Sequence, residues 1–267
     1  MFYQFYEHIK NRYFDQLCTL PAVMRQAMIF KYTCEEIPLS IRDDDLIPGW
    51  YGAESDEGFQ IHEHREFPAY EAYTPEELAV KDELNRDFGI IVRFDRAHSC
   101  IDNAKIITQG LVSFEQEIRA EMDTDSLEKR QMLQAMLITI DAVRIYTRRF
   151  AELADSMFRA GGDQRLVKMR DAMLRVPYEP ARNIYEAICA VWTMHTLIPI
   201  SEISWASVSL GRVDQYLWPL YKQSLAEGET RENVRAYLKN LYKLLNTFNW
   251  HSIVDRRTHT TYASVTL

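Results

Sequence analysis

From Ser126 to Ala160 the chain carries one broad apolar stripe, in which Leu133, Met136, Leu137, Ile140, Val143, Phe150, Leu153 and Met157 recur at helical spacing. No proline or glycine interrupts it before Gly161-Gly162. A period near 3.6 residues belongs to an amphipathic α-helix, and a glycine pair accepts the left-handed turn that ends one. A helix of that length sets the class of fold. The rest of the composition agrees, because Gly and Pro together number 18 in 267 residues, about 7% against a usual ~12%. So few turn residues leave no room for a many-stranded β-sandwich. A hydrophobic content of 47% excludes a disordered chain. The expected class is mainly α with a few β-strands, read as a single domain over 1–267, with no internal repeat and no linker.

Other helices are expected over Phe2–Leu17, from Pro21 to just before Pro38, and over 101–120, 163–175, 181–198, 211–227 and 231–249. Thr74-Pro75-Glu76-Glu77 has the form of a capping box that opens another, ended by Gly89. Ile90–Phe94 is a short strand candidate. Two further segments, Trp205–Leu210 and Tyr262–Leu267, alternate aliphatic residues with hydroxyl-bearing or aromatic ones. Side chains alternate across a strand, so each would show one apolar and one polar face. The two helical patterns between them would form a crossover, which joins parallel strands. The hydroxyl face is then either a cavity wall or a solvated edge.

Charge and cysteine usage narrow the partners. Thirty-one basic against 39 acidic residues give −8, which argues against a nucleic-acid partner. No apolar run approaches 18 residues, so no membrane partner is expected, and Met1–Lys10 lacks the pattern of a secretion signal. Cys18, Cys34, Cys100 and Cys189 lie far apart with no CxxC pair. A zinc site and a disulfide framework are both unexpected, and a reduced, cytoplasmic setting follows.

Short chemical motifs read mostly as structure. His62-Glu63-His64 has metal-hydrolase spacing but no further ligands of its own, and reads as an exposed loop. Asp43-Asp44-Asp45 lacks the spaced ligands of a calcium loop and reads as a solvated acidic turn. His195 shares a stripe with Ile184, Ile188, Val191 and Trp192, so a hydrogen-bonded core histidine is expected. His98 beside Cys100 and Asp102 could suggest a nucleophile pair, yet no oxyanion site or orienting partner accompanies them. No GxGxxG, GxxxxGK[ST] or GxSxG motif occurs.

Five segments in order resemble one family, the glycyl radical enzymes of the pyruvate formate-lyase-like group. They are Asp44–Gly49 with Gly52; Ala97-His98-Ser99-Cys100-Ile101-Asp102; Ala135–Ile138 with Arg149–Ala154; Val176-Pro177 with Pro180-Ala181-Arg182, Glu186 and Trp192; and Ser207–Leu217 with Pro219 and Tyr221. The last is similar to the family's HSxSxGRxDQYLxP, with Ala206 where the family has His. The resemblance implies a ten-stranded α/β barrel wrapped in a helical shell, of which this chain holds a part. It implies a radical lyase or dehydratase acting on a small polar substrate. The cofactor implied is a glycyl radical installed by a radical-SAM activating enzyme, with nothing bound directly to this chain.

By the same resemblance Ser207 stands at a substrate-contacting position, with His98 and Asp102 as further candidates. Trp205 and Ser209 join them from the strand alternation alone. Arg212 and Asp214 are expected to fix the start of the following helix. No catalytic or metal-binding residue is assigned. None of the four cysteines has the family's Cys-x-Glu context, and no Arg-Val-x-Gly-Tyr segment is present. The resemblance covers about the first third to half of a family member. The expected partner is therefore the C-terminal half, in the same or a separate polypeptide, and a homodimer is also admitted. A non-catalytic helical interaction module derived from the family is the alternative.

Overall fold

A computed structural model describes residues 2–48, 50–51, 74–88, 99–201, 208–247 and 263–266. The long stripe forms α6 (Leu127–Gly161), a helix of 35 residues. Ser126 caps it by accepting the Lys129 N–H at 3.2 Å. Gly162 ends it with φ 74°, its N–H donating to the Phe158 carbonyl. Helices α3 (Ala22–Glu36) and α7 (Gln164–Met173) pack along α6. Behind them lies α8 (Ile184–Ser201), whose run Ala187–Trp192 is fully buried. A helix apolar all round belongs at the centre of a fold. Helix α8 touches α3, α7, α5 (Asn103–Ala120), α9 (Val213–Ala226), α10 (Arg231–Thr247) and strand β4 (Val208–Arg212). No helix among the described residues is long and apolar enough to cross a membrane.

Two helices differ from the sequence reading. The first breaks at Tyr13 into α1 (Phe2–Arg12) and α2 (Phe14–Leu17). There the Tyr13 ring stacks on Tyr32 at 3.9 Å and its hydroxyl donates to Glu36, so docking onto α3 outweighs continuation of the helix. The second, α5, is interrupted at Gly110, which takes φ 72° and ψ 167°. The Leu111 and Val112 N–H groups donate instead to the Pro177 and Tyr178 carbonyls, both at 2.9 Å. Ala181 N–H reaches back to Ile107 at the same distance. The Val176-Pro177…Pro180-Ala181 segment thus supplies the partners that the broken turn lost. Arg182 and the buried Glu186 then join through paired contacts of 2.5 and 3.0 Å.

The acidic turn Asp43–Asp45 is solvated at Asp43 and Asp44, as expected, but departs from expectation at Asp45. Asp45 is only 2% exposed, and its Oδ2 accepts the Arg42 N–H at 2.9 Å. Burial raises its carboxyl pKa. Arg165 donates to the Arg42 and Asp45 carbonyls, Tyr185 to the Leu46 carbonyl, and Asn240 Oδ1 accepts both Leu46 and Ile47 N–H at 3.0 Å. Asp45, Leu46 and Ile47 are thereby pinned to the core. Asp44 pairs with Lys243.

The capping box is present as expected at α4 (Pro75–Phe88): Thr74 N–H donates to Glu77 and Glu77 N–H to Thr74 Oγ1. Strands β1 (Leu39–Ser40) and β2 (Trp50–Tyr51) pair antiparallel. A second sheet runs in the order β3 (Ser99–Cys100), β4, β5 (Ala263–Thr266), all parallel. The expected helical crossover, α9 and α10, connects β4 to β5. The Ile90–Phe94 strand and the His62-Glu63-His64 motif lie outside the described residues. Among the described residues no cluster of three metal-type ligands occurs.

Candidate functional site

Parallel strands put their carboxyl ends on one side, and ligands of open α/β sheets bind there, because the chain turns into helices whose N-termini and loops face a common crevice. In this sheet Cys100 on β3, Ser209 on β4 and Ser264 on β5 share one register row. At the carboxyl end β3 leads through Ile101 to Asp102 and α5, while β4 leads through Gly211-Arg212 into α9.

Two of the five candidate residues fall in the described structure. Asp102 is exposed, and its Oδ1 accepts the Lys105 N–H at 2.9 Å, so it caps α5. One carboxylate oxygen is thereby committed to the helix. Ser209 is half-buried and its Oγ accepts the Gly211 N–H at 3.0 Å. That contact holds a break in the ladder, where pairing shifts between Ser209 and Gly211. Gly211 has φ 69°, and a Cβ there would stand 3.0 Å from Cys100 Sγ. Glycine is needed for the conformation, and a Cβ would stand tight against the Cys100 side chain. His98, Trp205 and Ser207 lie outside the described residues.

Two positioning residues escaped the sequence reading. Asn103, 2% exposed, donates its side-chain amide to the Leu210 carbonyl at 3.3 Å. Tyr216 donates its hydroxyl to the same oxygen at 2.9 Å. Together they tie the start of α5, the end of β4 and the first turns of α9 to one buried point. Burial pushes the Tyr216 phenol well up, so it remains a donor. The signal was available for Tyr216, which sits within the Gly211–Leu217 motif. Asn103 had none beyond following the cap residue. Arg212 and Asp214 form a paired contact of 3.2 and 3.1 Å across the start of α9. The carboxylate, lowered by that guanidinium, is placed where the helix dipole favours it.

The four cysteines differ in burial. Cys34 and Cys189 are fully buried in the helical core, and burial pushes both thiols upward. Cys18 donates to the Asp15 carbonyl at the α2 end. Cys100 is exposed and packs beside Gly211. His195, 4% exposed in α8, is a core residue as expected, but its Nδ1 has no hydrogen-bond partner among the described residues. Desolvation lowers its pKa to about 4, so the ring is neutral near pH 7.

Comparison with known proteins follows the same line. Isethionate sulfite-lyase of Nitratidesulfovibrio vulgaris is 34% identical over 143 residues, covering 49% of this chain and 17% of that enzyme. Trans-4-hydroxy-L-proline dehydratase of Clostridioides difficile is 25% identical over 243 residues, covering 84% of this chain and 28% of that one. The structure of the C. difficile hydroxyproline dehydratase with substrate bound superposes with a TM-score of 0.72 at 22% identity, over 90% of this chain and 37% of that one. The glycerol dehydratase of Clostridium butyricum gives 0.70 at 18% identity, over 92% and 37%. The fold is shared, and the chain spans between about a sixth and just over a third of these relatives' length. With residues 59–258 matching the model described as pyruvate formate lyase-like, the chain belongs to that family, the glycyl radical enzymes.

Proposed function

We propose that this chain supplies the N-terminal helical shell and one section of the substrate-cavity sheet of a glycyl radical lyase or dehydratase acting on a small polar molecule. The observation that carries the reading is the parallel β3-β4-β5 sheet, with Asp102 and Ser209 near its carboxyl end and Asn103 and Tyr216 fixing that end from behind. Ser207, His98 and Trp205 complete the candidate binding set.

The chemistry of the whole enzyme is a hydrogen abstraction by a thiyl radical, generated from a glycyl radical that a radical-SAM enzyme installs. This chain's own residues bind and orient, and no step is routed through them. The Cys-x-Glu and glycyl loops then belong to a further stretch of polypeptide, the main partner of this chain, in an anaerobic cytoplasmic setting. A homodimer of the assembled enzyme is compatible with the reading.

The test is anaerobic reconstitution of the chain with a polypeptide carrying those two loops, plus the activating enzyme. Isethionate, trans-4-hydroxy-L-proline, glycerol and 1,2-propanediol, drawn from the relatives, form the substrate panel. A glycyl radical signal and turnover that both require this chain support the proposal. A chain that remains a stable monomer, indifferent to that polypeptide, favours the interaction module.

A further inference from the structure

Helices α9 and α10 enclose a groove of about 520 Å³ whose floor is Ile184, Val213, Leu217, Val234 and Leu238. The α9 rim is aromatic: Trp218 is 53% exposed and stacks on Tyr221 at 5.4 Å, while Tyr242, 40% exposed, stands on α10. Exposed aromatics over an apolar floor are the composition of interface centres.

The other rim is basic. Arg231, Arg235 and Lys239 stand one helical turn apart on a single face of α10 and line the groove, a row about 12 Å long. None of the three has an ion-pair partner among the described residues, whereas Lys168, Arg170, Arg175, Arg182 and Arg212 all do. Asp214, the acid at the groove, is committed to Arg212. Arg231 opens α10, where the helix dipole opposes a cation. Helix stability therefore does not explain its place. A cationic row on a chain of net charge −8 is a local reversal of sign that attracts acidic groups.

We infer that the α9–α10 groove is a docking site for an amphipathic helix with an acidic edge. Floor and rim repeat at the same one-turn pitch: Val213 with Leu217, Val234 with Leu238, and the three cations. A helix laid along the groove presents apolar side chains at i, i+3, i+4 and i+7 to such a floor, with carboxylates one turn apart beside them. A compact organic anion would meet one cation and leave the others unpaired, so the pitch favours an extended partner.

The probe is a fluorescein-labelled synthetic helix with Leu at the four apolar positions and Glu at i, i+4 and i+8 along one edge, titrated against the full chain by anisotropy. Saturable binding is expected, weakening with added salt and absent for the same peptide with Lys in place of Glu. The exposed double variant Arg235→Glu/Lys239→Glu, with its helical circular dichroism unchanged, should weaken it roughly tenfold or more. Trp218→Ala should do the same through the apolar rim while leaving the salt dependence intact. Equal binding of the Glu and Lys peptides, or unchanged binding in the charge-reversed variant, overturns the inference. So does full displacement by millimolar indole-3-acetate or glutamate, which would mark the groove as a small-anion site.

Discussion

Gly110 in α5 lies directly against the backbone that follows Pro177, and a Cβ at Gly110 would stand 2.7 Å from the Glu179 carbonyl carbon. Its φ of 72° is strained for any other residue, and the neighbouring backbone cannot move without breaking the Leu111 and Val112 hydrogen bonds. Gly110→Ala is therefore expected to destabilise the chain by about 3 kcal/mol or more. Gly162 has a similar φ of 74° but open space around it, so Gly162→Ala should cost only about 1 kcal/mol. Urea denaturation of both variants checks the contrast, and equal losses would refute the close-approach explanation.

Asn240 anchors the Leu46-Ile47 backbone from the far end of the sequence. Asn240→Ala leaves two N–H groups without their acceptor next to the fully buried Ile47. A loss of roughly 2–4 kcal/mol is expected. Hydrogen exchange should accelerate over 39–48 well before it changes in α6.

What the sequence showed and what it hid divide along one physical line. Periodicity and caps are local, so α6, its Ser126 and Gly162 ends, the Thr74 capping box and the parallel strands around the crossover were all legible. The breaks at Tyr13 and Gly110 were not, because each is decided by a partner distant in sequence: Tyr32 and Glu36 in one case, the Pro177-Tyr178 carbonyls in the other. Burial of Asp45 was hidden for the same reason, since Arg165 and Asn240 create its surroundings. At the candidate site, alternation and motif point to Ser209 and Asp102 as candidates only. Their actual bonds, to Gly211 N–H and Lys105 N–H, depend on the exact turn of the backbone.

The neutral, desolvated His195 ties stability to pH. Its folded pKa of about 4 lies below the ordinary 6.5, so the unfolded chain takes up the proton first. The contribution is complete above pH 6.5, declines as pH falls from there, and is gone below about 4. Between pH 7.5 and 4.5 this amounts to roughly 2–3 kcal/mol. His195→Gln should flatten the stability-versus-pH curve by about that amount. A curve of unchanged slope would contradict it.

Asp102 caps α5 and is also a candidate substrate contact, and two substitutions separate the roles. Asp102→Ser retains a cap acceptor and should change stability by less than about 0.5 kcal/mol, while Asp102→Ala should cost about 1 kcal/mol. In the reconstituted enzyme both should reduce kcat/KM roughly tenfold or more if the carboxylate contacts substrate. Full activity in Asp102→Ser would leave the residue as a cap alone.

The central claim is that β3-β4-β5 is one section of a larger sheet. Among the described residues β3 and β5 are its two edges. Amide hydrogen exchange at Ser99–Cys100 and Ala263–Thr266, measured with and without the polypeptide carrying the Cys-x-Glu and glycyl loops, reads those edges directly. Exchange there is expected to slow by orders of magnitude on mixing, while α6 is unaffected. Rates at both edges that stay the same in a mixture shown to be complexed would contradict it.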